Sequence, residues 1–374
     1  MSKTKGNVID PIDLIKRFGT DAVRFTLASQ ASPGTDIAFS EGRTEGNRAF
    51  ANKIWNAARF LFMNIDRAEE AGVSIRIGAG SGAATADTLE TRWILTRMSE
   101  TASETNRALG AYRFDEAASA VYQFFWGDLC DWYLEIVKLR LNFTAGEDNS
   151  AAVASLEAFI GVFEASLRLL SPFMPFITEE IWHALYGDAA PAKSIALTRF
   201  PQAADFAVDP AAVTAIEHLK EIIVGVRGLR KEMGVPEKEA APVRIFASEA
   251  IAGLAVDNAD LLAKLARVSA VEVAFGALAG NAVRSIADSS RGISQMDVEV
   301  VYERQIDVPA ERERLTKDLA KFEKGLQAAE RQLGNEAFMG KAPAHIVDGL
   351  RKQSSETRML YDKAKAALEA LPAE

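Results

Sequence analysis

Two stretches of this chain gather side chains suited to chemistry on phosphates and on bases. The first is Met1-Ser2-Lys3-Thr4-Lys5-Gly6-Asn7, which runs straight into Val8-Ile9-Asp10-Pro11 and then Phe18-Gly19-Thr20-Asp21-Ala22-Val23-Arg24. Lys3 and Lys5 supply charge, the hydroxyls of Ser2 and Thr4 and the backbone N–H groups supply donors, and Gly6 lets the backbone approach an anion. Taken alone, seven such residues read first as an exposed basic terminus that frays. The second stretch is Asn47-Arg48-Ala49-Phe50-Ala51-Asn52-Lys53-Ile54-Trp55-Asn56-Ala57-Ala58-Arg59-Phe60. On a helix Asn52, Asn56 and Arg59 recur at i, i+4 and i+7, with Lys53 and Phe60 alongside. Amide and guanidinium donors, a lysine and a ring on one face suit splayed bases, the donors reading edges and the ring stacking. The same pattern also suits a half-buried helix whose amides satisfy loop carbonyls. The residues alone do not choose between these two readings.

The elements that must position these groups are mainly helical. Residues 8–30 are expected as a helix after the loop, with Ile12, Ile15, Val23 and Leu27 at helical spacing, ended by Ser32-Pro33-Gly34. A long helix is expected over about 41–66, with Phe50, Ile54, Trp55, Ala58, Phe62 and Ile65 on its inner face. The Gly-, Ala- and Ser-rich stretch 71–86 is a loop. Helical periodicity returns over 89–109, 114–143 and 151–170, and again after Ser171-Pro172-Phe173-Met174-Pro175. Short connections between amphipathic helices imply an antiparallel bundle. Beyond Gly187, Ser194–Leu197 is expected as a strand and 210–233 as a helix. Val243–Phe246, Val271–Val273 and Met296–Val301 are expected as strands, with a helix between the first two. Near the end, Leu315, Leu319, Phe322, Leu326, Ala329 and Leu333 step as a heptad seam. Ile346, Leu350, Gln353, Thr357, Leu360, Ala364 and Ala367 step likewise. Gly334-Asn335 and Ala342-Pro343 bracket a turn, so the pair reads as an antiparallel coiled-coil hairpin, with a dimerising coiled coil as the other reading.

Composition sets bounds on function. A chain of 374 residues with 48% hydrophobic and 25% charged side chains is ordinary for a globular protein of several domains. No apolar run reaches the roughly 18 residues of a membrane span, and no signal peptide is visible, so no membrane partner and a cytoplasmic location are expected. The single cysteine, Cys130, excludes an internal disulfide and, among Trp126, Trp132 and Tyr133, reads as a buried structural thiol. The three histidines, His183, His218 and His345, lack metal-ligand spacing, so no metal site is expected. A net charge of −9 does not advertise a nucleic-acid binder, yet residues 1–67 carry ten Lys and Arg against seven acids. Phosphate contacts depend on such local patches.

Taken together the motifs resemble class I aminoacyl-tRNA synthetases. The opening loop resembles that family's Lys-Met-Ser-Lys-Ser loop with its Gly-Asn and Asp-Pro…Gly-x-Asp-Ala-x-Arg continuation. It departs twice: the first lysine of the motif would precede Met1, and Thr4 stands where serine is usual. The Asn47–Phe60 string, Arg113-Phe114-Asp115-Glu116-Ala117, the block from Phe125-Trp126 to Asp131-Trp132-Tyr133, and Pro172 to Trp182 resemble the anticodon-binding domain of the valine, isoleucine and leucine enzymes. Their aromatic residues are expected in the core. Arg227 to Pro236, then Leu333-Gly334-Asn335-Glu336-Ala337-Phe338 with Lys341-Ala342-Pro343, are similar to the valine branch, whose arm packs on the tRNA elbow. The isoleucine enzyme's zinc module needs cysteines this chain lacks.

The resemblance implies four parts: a remnant of a catalytic domain over 1–40, a helical-bundle anticodon-binding domain over 41–190, a small α/β domain over 191–307, and a coiled-coil tRNA-binding arm over 308–374. It implies an ATP-binding loop of Ser2, Lys3, Thr4, Lys5, Gly6 and Asn7, with Lys3 stabilising the triphosphate as pyrophosphate leaves. Asn52, Lys53, Asn56, Arg59 and Phe60 would contact the anticodon, and Lys317, Lys321, Lys324, Arg331 and Lys341 would line the arm. The implied partner is tRNA(Val), bound by a monomer. ATP and Mg2+ would serve the full-length enzyme, with no cofactor for this chain alone. The nucleotide fold and editing domain are expected upstream of Met1, leaving the chain inactive by itself. A freestanding tRNA-binding or scaffold protein, or the same portion of another branched-chain synthetase, stands as the alternative.

Overall fold

The computed structural model describes residues 9–78, 88–274, 283–285, 296–302, 308–334 and 344–369. They fall into two compact units, Met1–Val301 and Tyr302–Glu374.

The first unit begins with α1 (Pro11–Phe18) and α2 (Thr20–Ala28), two helices where the periodicity predicts one. Asp10 caps α1 by accepting from Ile12 N–H at 2.8 Å, and Pro11 starts it. Gly19 ends it at φ 88°, a conformation that glycine adopts without a Cβ penalty. The break re-aims the apolar set. Leu14, Phe18, Ala22 and Val23 are buried together, whereas Ile12 and Leu27, expected to face inward, are exposed.

Then come α3 (Glu41–Glu70), α4 (Leu89–Gly110), α5 (Phe114–Gln123), α6 (Leu134–Val137), α7 (Ser150–Leu170) and α8 (Pro175–Tyr186). Phe50 of α3 anchors their core. Its ring centroid lies 5.3 Å from that of Phe25, 4.7 Å from Tyr122 and 5.8 Å from Phe125. Each fully buried ring contributes on the order of 1.5–3 kcal/mol by leaving water. Asp21 and Arg24, the motif residues of α2, fasten it to the α7–α8 turn. The Asp21 carboxylate accepts from Phe176 and Ile177 N–H at 3.2 and 2.7 Å, at the positive end of α8, and Arg24 donates to Pro172 O at 3.0 Å. Desolvation nonetheless holds the Asp21 pKa above its ordinary value.

The helix expected over 114–143 is interrupted. Phe124–Tyr133 is a π-helix, closed where Leu134 N–H reaches Leu129 O, and α6 ends at Val137. The aromatic blocks do pack inward: Phe125, Tyr133, Phe173 and Trp182 are buried, with Phe114 and Phe176 as exposed exceptions. Ser194–Leu197 is no strand but ends in a 3-10 turn, Ile195–Leu197, because the Glu179 carboxylate takes both Ser194 O–H and Ile195 N–H.

α9 (Pro210–Glu232) leads to β1 (Ala241–Phe246), α10 (Glu249–Asp257), α11 (Ala259–Ala266), β2 (Val268–Ala274), β3 (Val283–Ser285) and β4 (Met296–Val300). Two helices and the short β3 thus appear where sequence periodicity offers one helix and no strand. The sheet order is β2-β1-β4-β3, parallel between β1 and β2 and antiparallel elsewhere. Arg244 of β1 pairs with Glu272 on one neighbour and Glu299 on the other, at 3.2 and 2.8 Å. The expected arginines of the Arg227–Pro236 stretch are staples. Arg227 donates to Leu265 O, and buried Arg230 donates to the carbonyls of Arg267, Pro236 and Glu239.

The second unit contains α12 (Val308–Leu333) and α13 (Ala344–Glu369). They meet closely: a Cβ on Gly325 would lie 3.6 Å from Thr357 Cγ2. On α12 the expected seam is the covered side, with Leu315, Leu326 and Ala329 buried and Leu319, Phe322 and Leu333 half-buried. On α13 the covered side is Val347, Leu350, Ser354, Thr357, Tyr361, Ala364 and Leu368. This corrects the expected set. Gln353 and Leu360 are exposed, because the covered row passes through Tyr361, whose larger ring is half-buried, rather than through Leu360. The side chains of Ile346 and Ala367 and the turn at 335–343 lie outside the described residues, as do 79–87 of the Gly-rich loop.

Candidate nucleic-acid interface

The candidate interface rests on α3. Ser40 accepts from Arg43 N–H at the start of this helix, and Phe50, Ile54, Ala57, Ala58, Leu61 and Ile65 bury one side. The opposite side carries Asn52, Asn56 and Arg59, all exposed. Other asparagines of α3 spend their amides within the fold: Asn47 donates to Thr26 Oγ1 at 2.8 Å and Asn64 to Phe60 O at 2.7 Å. Asn52, Asn56 and Arg59 have no such hydrogen-bond or ion-pair partner among the described residues. The acceptors of Asn47 and Asn64 are a hydroxyl of α2 and a carbonyl of α3 itself, so no asparagine of this helix satisfies a loop carbonyl, and Asn52 and Asn56 satisfy none at all among the described residues.

Lys53 and Phe60 behave differently. Lys53 Nζ lies 2.7 Å from Asp131 Oδ1 and 4.6 Å from the Trp126 ring centroid. Both partners come from the π-helix Phe124–Tyr133. Phe60 is half-buried, 6.1 Å from the Phe159 ring, with Lys138 Nζ 5.5 Å from its centroid. The structure thus brings the five predicted residues onto one helix but divides them into a free row and an engaged flank. An open cleft of about 470 Å3 runs beside the row, lined by Asn56, Arg59, Phe60, Phe62, Met63 and Asp66.

Sequence reasoning placed Trp126 and Asp131 only in a packing block and missed Lys138; that they meet Lys53 and Phe60 carries no local signal. It also misplaced Trp55, which is 48% exposed rather than inward. The helical angle was the available signal: Trp55 lies three residues after Asn52 and four before Arg59, on their side. Cys130, between these groups, is buried, and desolvation pushes its thiol up to about 12, which suits a structural residue.

In the second unit Lys317, Lys321, Lys324 and Arg331 are exposed and recur at i, i+4, i+7 and i+14, away from the covered seam of α12. Lys317 pairs with Glu313 at 2.6 Å, while Lys321, Lys324 and Arg331 have no ion-pair partner among the described residues. Ser2, Lys3, Thr4, Lys5, Gly6, Asn7 and Lys341 lie outside the described residues. Among those described, no group of His, Cys, Asp and Glu is arranged to hold a metal ion, and no helix is long and apolar enough to cross a membrane.

Three family descriptions match successive parts of the chain. They are tRNA synthetases class I (I, L, M and V) at residues 1–40, the anticodon-binding domain of tRNA ligase at 91–245, and the valyl tRNA synthetase tRNA binding arm at 307–372. These matches relate the chain to the class I aminoacyl-tRNA synthetases. Curated relatives narrow this. The valine--tRNA ligase of Syntrophotalea carbinolica is 38% identical over 100% of this chain and 40% of its own length. That of Solibacter usitatus is 39% identical over 94% of this chain and 37% of its own, and that of Geobacter sulfurreducens 38% over 99% and 40%. The chain belongs to the valyl-tRNA synthetase family and matches its C-terminal part. It spans about two fifths of the length of these relatives.

Proposed function

We propose that this chain is the tRNA-docking portion of an enzyme that attaches valine to tRNA(Val) using ATP and Mg2+. The observation that carries this reading is the free row Asn52, Asn56 and Arg59, three donors with no partner of their own on a rigid helix. Donors held in this way are ready for base edges in a splayed anticodon loop. Lys53 and Phe60 border the row, Lys53 held in place by Asp131 and Phe60 offering a ring already backed by Phe159.

In the arm, α12 and α13 form an antiparallel coiled-coil hairpin whose outer cations Lys317, Lys321, Lys324 and Arg331, together with Lys341, meet the tRNA backbone. Their spacing on one side of α12 supports this. The division into 1–40, 41–190, 191–307 and 308–374 belongs to the same reading, and the compact unit ending at Val301 supports its last boundary. Lys3 of the Ser2–Asn7 loop serves ATP in the whole enzyme, which acts as a cytoplasmic monomer.

The test is a titration of the purified chain against tRNA(Val) and against the same tRNA with its anticodon exchanged. The chain should bind tRNA(Val) more tightly, with an affinity that falls steeply as salt rises, and show no valine-dependent ATP–pyrophosphate exchange. Equal affinity for both tRNAs contradicts the anticodon assignment. Measurable exchange by this chain contradicts the division of labour.

A further inference from the structure

The chain has five tryptophans, and four of them are occupied within the fold. Trp93 lies under Lys220 Nζ at 4.4 Å, and Trp132 faces the same ammonium at 5.5 Å. Trp126 stacks on Tyr122 at 5.7 Å, and Trp182 meets Tyr186 at 5.0 Å. Trp55 differs. It is nearly half exposed and has no ring or cation partner among the described residues.

Its position gives that exposure a meaning. On α3 the free row Asn52–Asn56–Arg59 has two flanks. Lys53 and Phe60 form one, seven residues apart. Trp55 and half-buried Phe62, also seven apart, form the other. Trp55 sits one turn from both Asn52 and Arg59, so a base whose edge reaches those donors can lay its face on the indole. An indole offers a large apolar face without regard to base identity, and Arg59 adds a cation beside the stack. Leaving such a ring in water costs apolar surface, and packing it as the other four are packed would remove that cost.

We propose that Trp55 is a second base-stacking residue of this interface, holding an RNA base on the flank opposite Phe60. The two rings are five residues apart, a rise of about 7.5 Å along the helix, and they point to opposite sides of the row. They therefore take different bases rather than sandwich one. This inference rests on the anticodon reading given above.

The test uses the full chain and a fluorescently labelled RNA hairpin carrying the tRNA(Val) anticodon loop, with the same stem bearing abasic loop positions as control. Trp55→Ala should bind the intact hairpin about tenfold more weakly, and Trp55→Phe should recover part of the loss. The slope of affinity against salt should stay unchanged, since no cation is removed, and so should the thermal midpoint. On the abasic hairpin wild type and Trp55→Ala should be equal. If Arg59→Ala weakens binding while Trp55→Ala does not, the stacking role is wrong and the anticodon reading stands. If neither variant matters, or the wild type ignores the hairpin, both fail. An equal loss on the abasic hairpin, or a lowered midpoint, makes Trp55 a structural residue and overturns the proposal.

Discussion

The helical bundle and the arm use the same cations for opposite purposes. In the bundle, many positive side chains are consumed by the fold. Arg97 donates to Asp128 at 2.9 Å, and Arg140 bridges Glu90 and Asp260, each at 2.8 Å. Lys220 holds Glu217 at 2.8 Å beside two indoles, and the Arg76 guanidinium makes three hydrogen bonds to the buried carboxylate of Glu157, its backbone N–H a fourth. Arg59 is an exception on α3, as are the exposed Arg43 and Arg67, none of which has an ion-pair partner among the described residues. In the arm, Lys321, Lys324 and Arg331 stand in water opposite an apolar seam. Charge count therefore says little about nucleic-acid binding in this chain. Whether a cation has a partner decides whether it remains available to a phosphate.

That contrast breaks most visibly at buried carboxylates. Glu164 accepts from Arg168 at 2.9 Å and from the buried Trp182 indole N–H at 3.0 Å. Glu164→Ala should cost about 3–5 kcal/mol in urea denaturation, because it strands both donors. In the arm, replacing Lys321, Lys324 and Arg331 together by Ala should leave the thermal midpoint nearly unchanged. The same variant should weaken tRNA binding and lower its salt slope by roughly one per cation. A large stability loss there would erase the distinction between the two regions.

A smaller effect is expected at His218. It is buried, and desolvation holds its pKa below the ordinary 6.5, against the pull of Glu221 and Glu217. The unfolded chain therefore binds the proton more readily. This contribution to stability is complete above about pH 6.5 and is lost as pH falls below it. Chemical denaturation of His218→Gln across this range should show a flatter pH dependence than wild type. The smallest effect is at Tyr112, which takes a left-handed φ of 59°. Tyr112→Gly should be neutral or stabilising by up to about 1 kcal/mol in the same assay.

Much of this architecture is legible in the sequence where one physical rule dominates. The long amphipathic helices and the α12 seam follow from apolar spacing. The strands β1, β2 and β4 follow from β-branched alternation. Failures occur where distant groups intervene. Glu179 turns Ser194–Leu197 away from a strand, and a shifted hydrogen-bond pattern over Phe124–Tyr133 changes no residue type. On α13 the competing rows share Leu350, Thr357 and Ala364, so only packing separates Leu360 from Tyr361. At the proposed interface, residue types and spacing place Asn52, Asn56 and Arg59 on one exposed face of α3. The partners that set Lys53 apart from Arg59 arrive from Trp126 and Asp131, at sequence distances no local pattern spans.

The most direct test compares those two cations on α3 in one experiment. Affinity of Arg59→Ala and Lys53→Ala for tRNA(Val) and for its anticodon-exchanged form should be measured alongside each variant's thermal midpoint. Arg59→Ala should lose most of the anticodon preference at an unchanged midpoint, whereas Lys53→Ala should lower the midpoint by freeing Asp131 and uncovering Trp126. Full anticodon preference in Arg59→Ala would contradict the claim that the free donors of α3 are the reading surface.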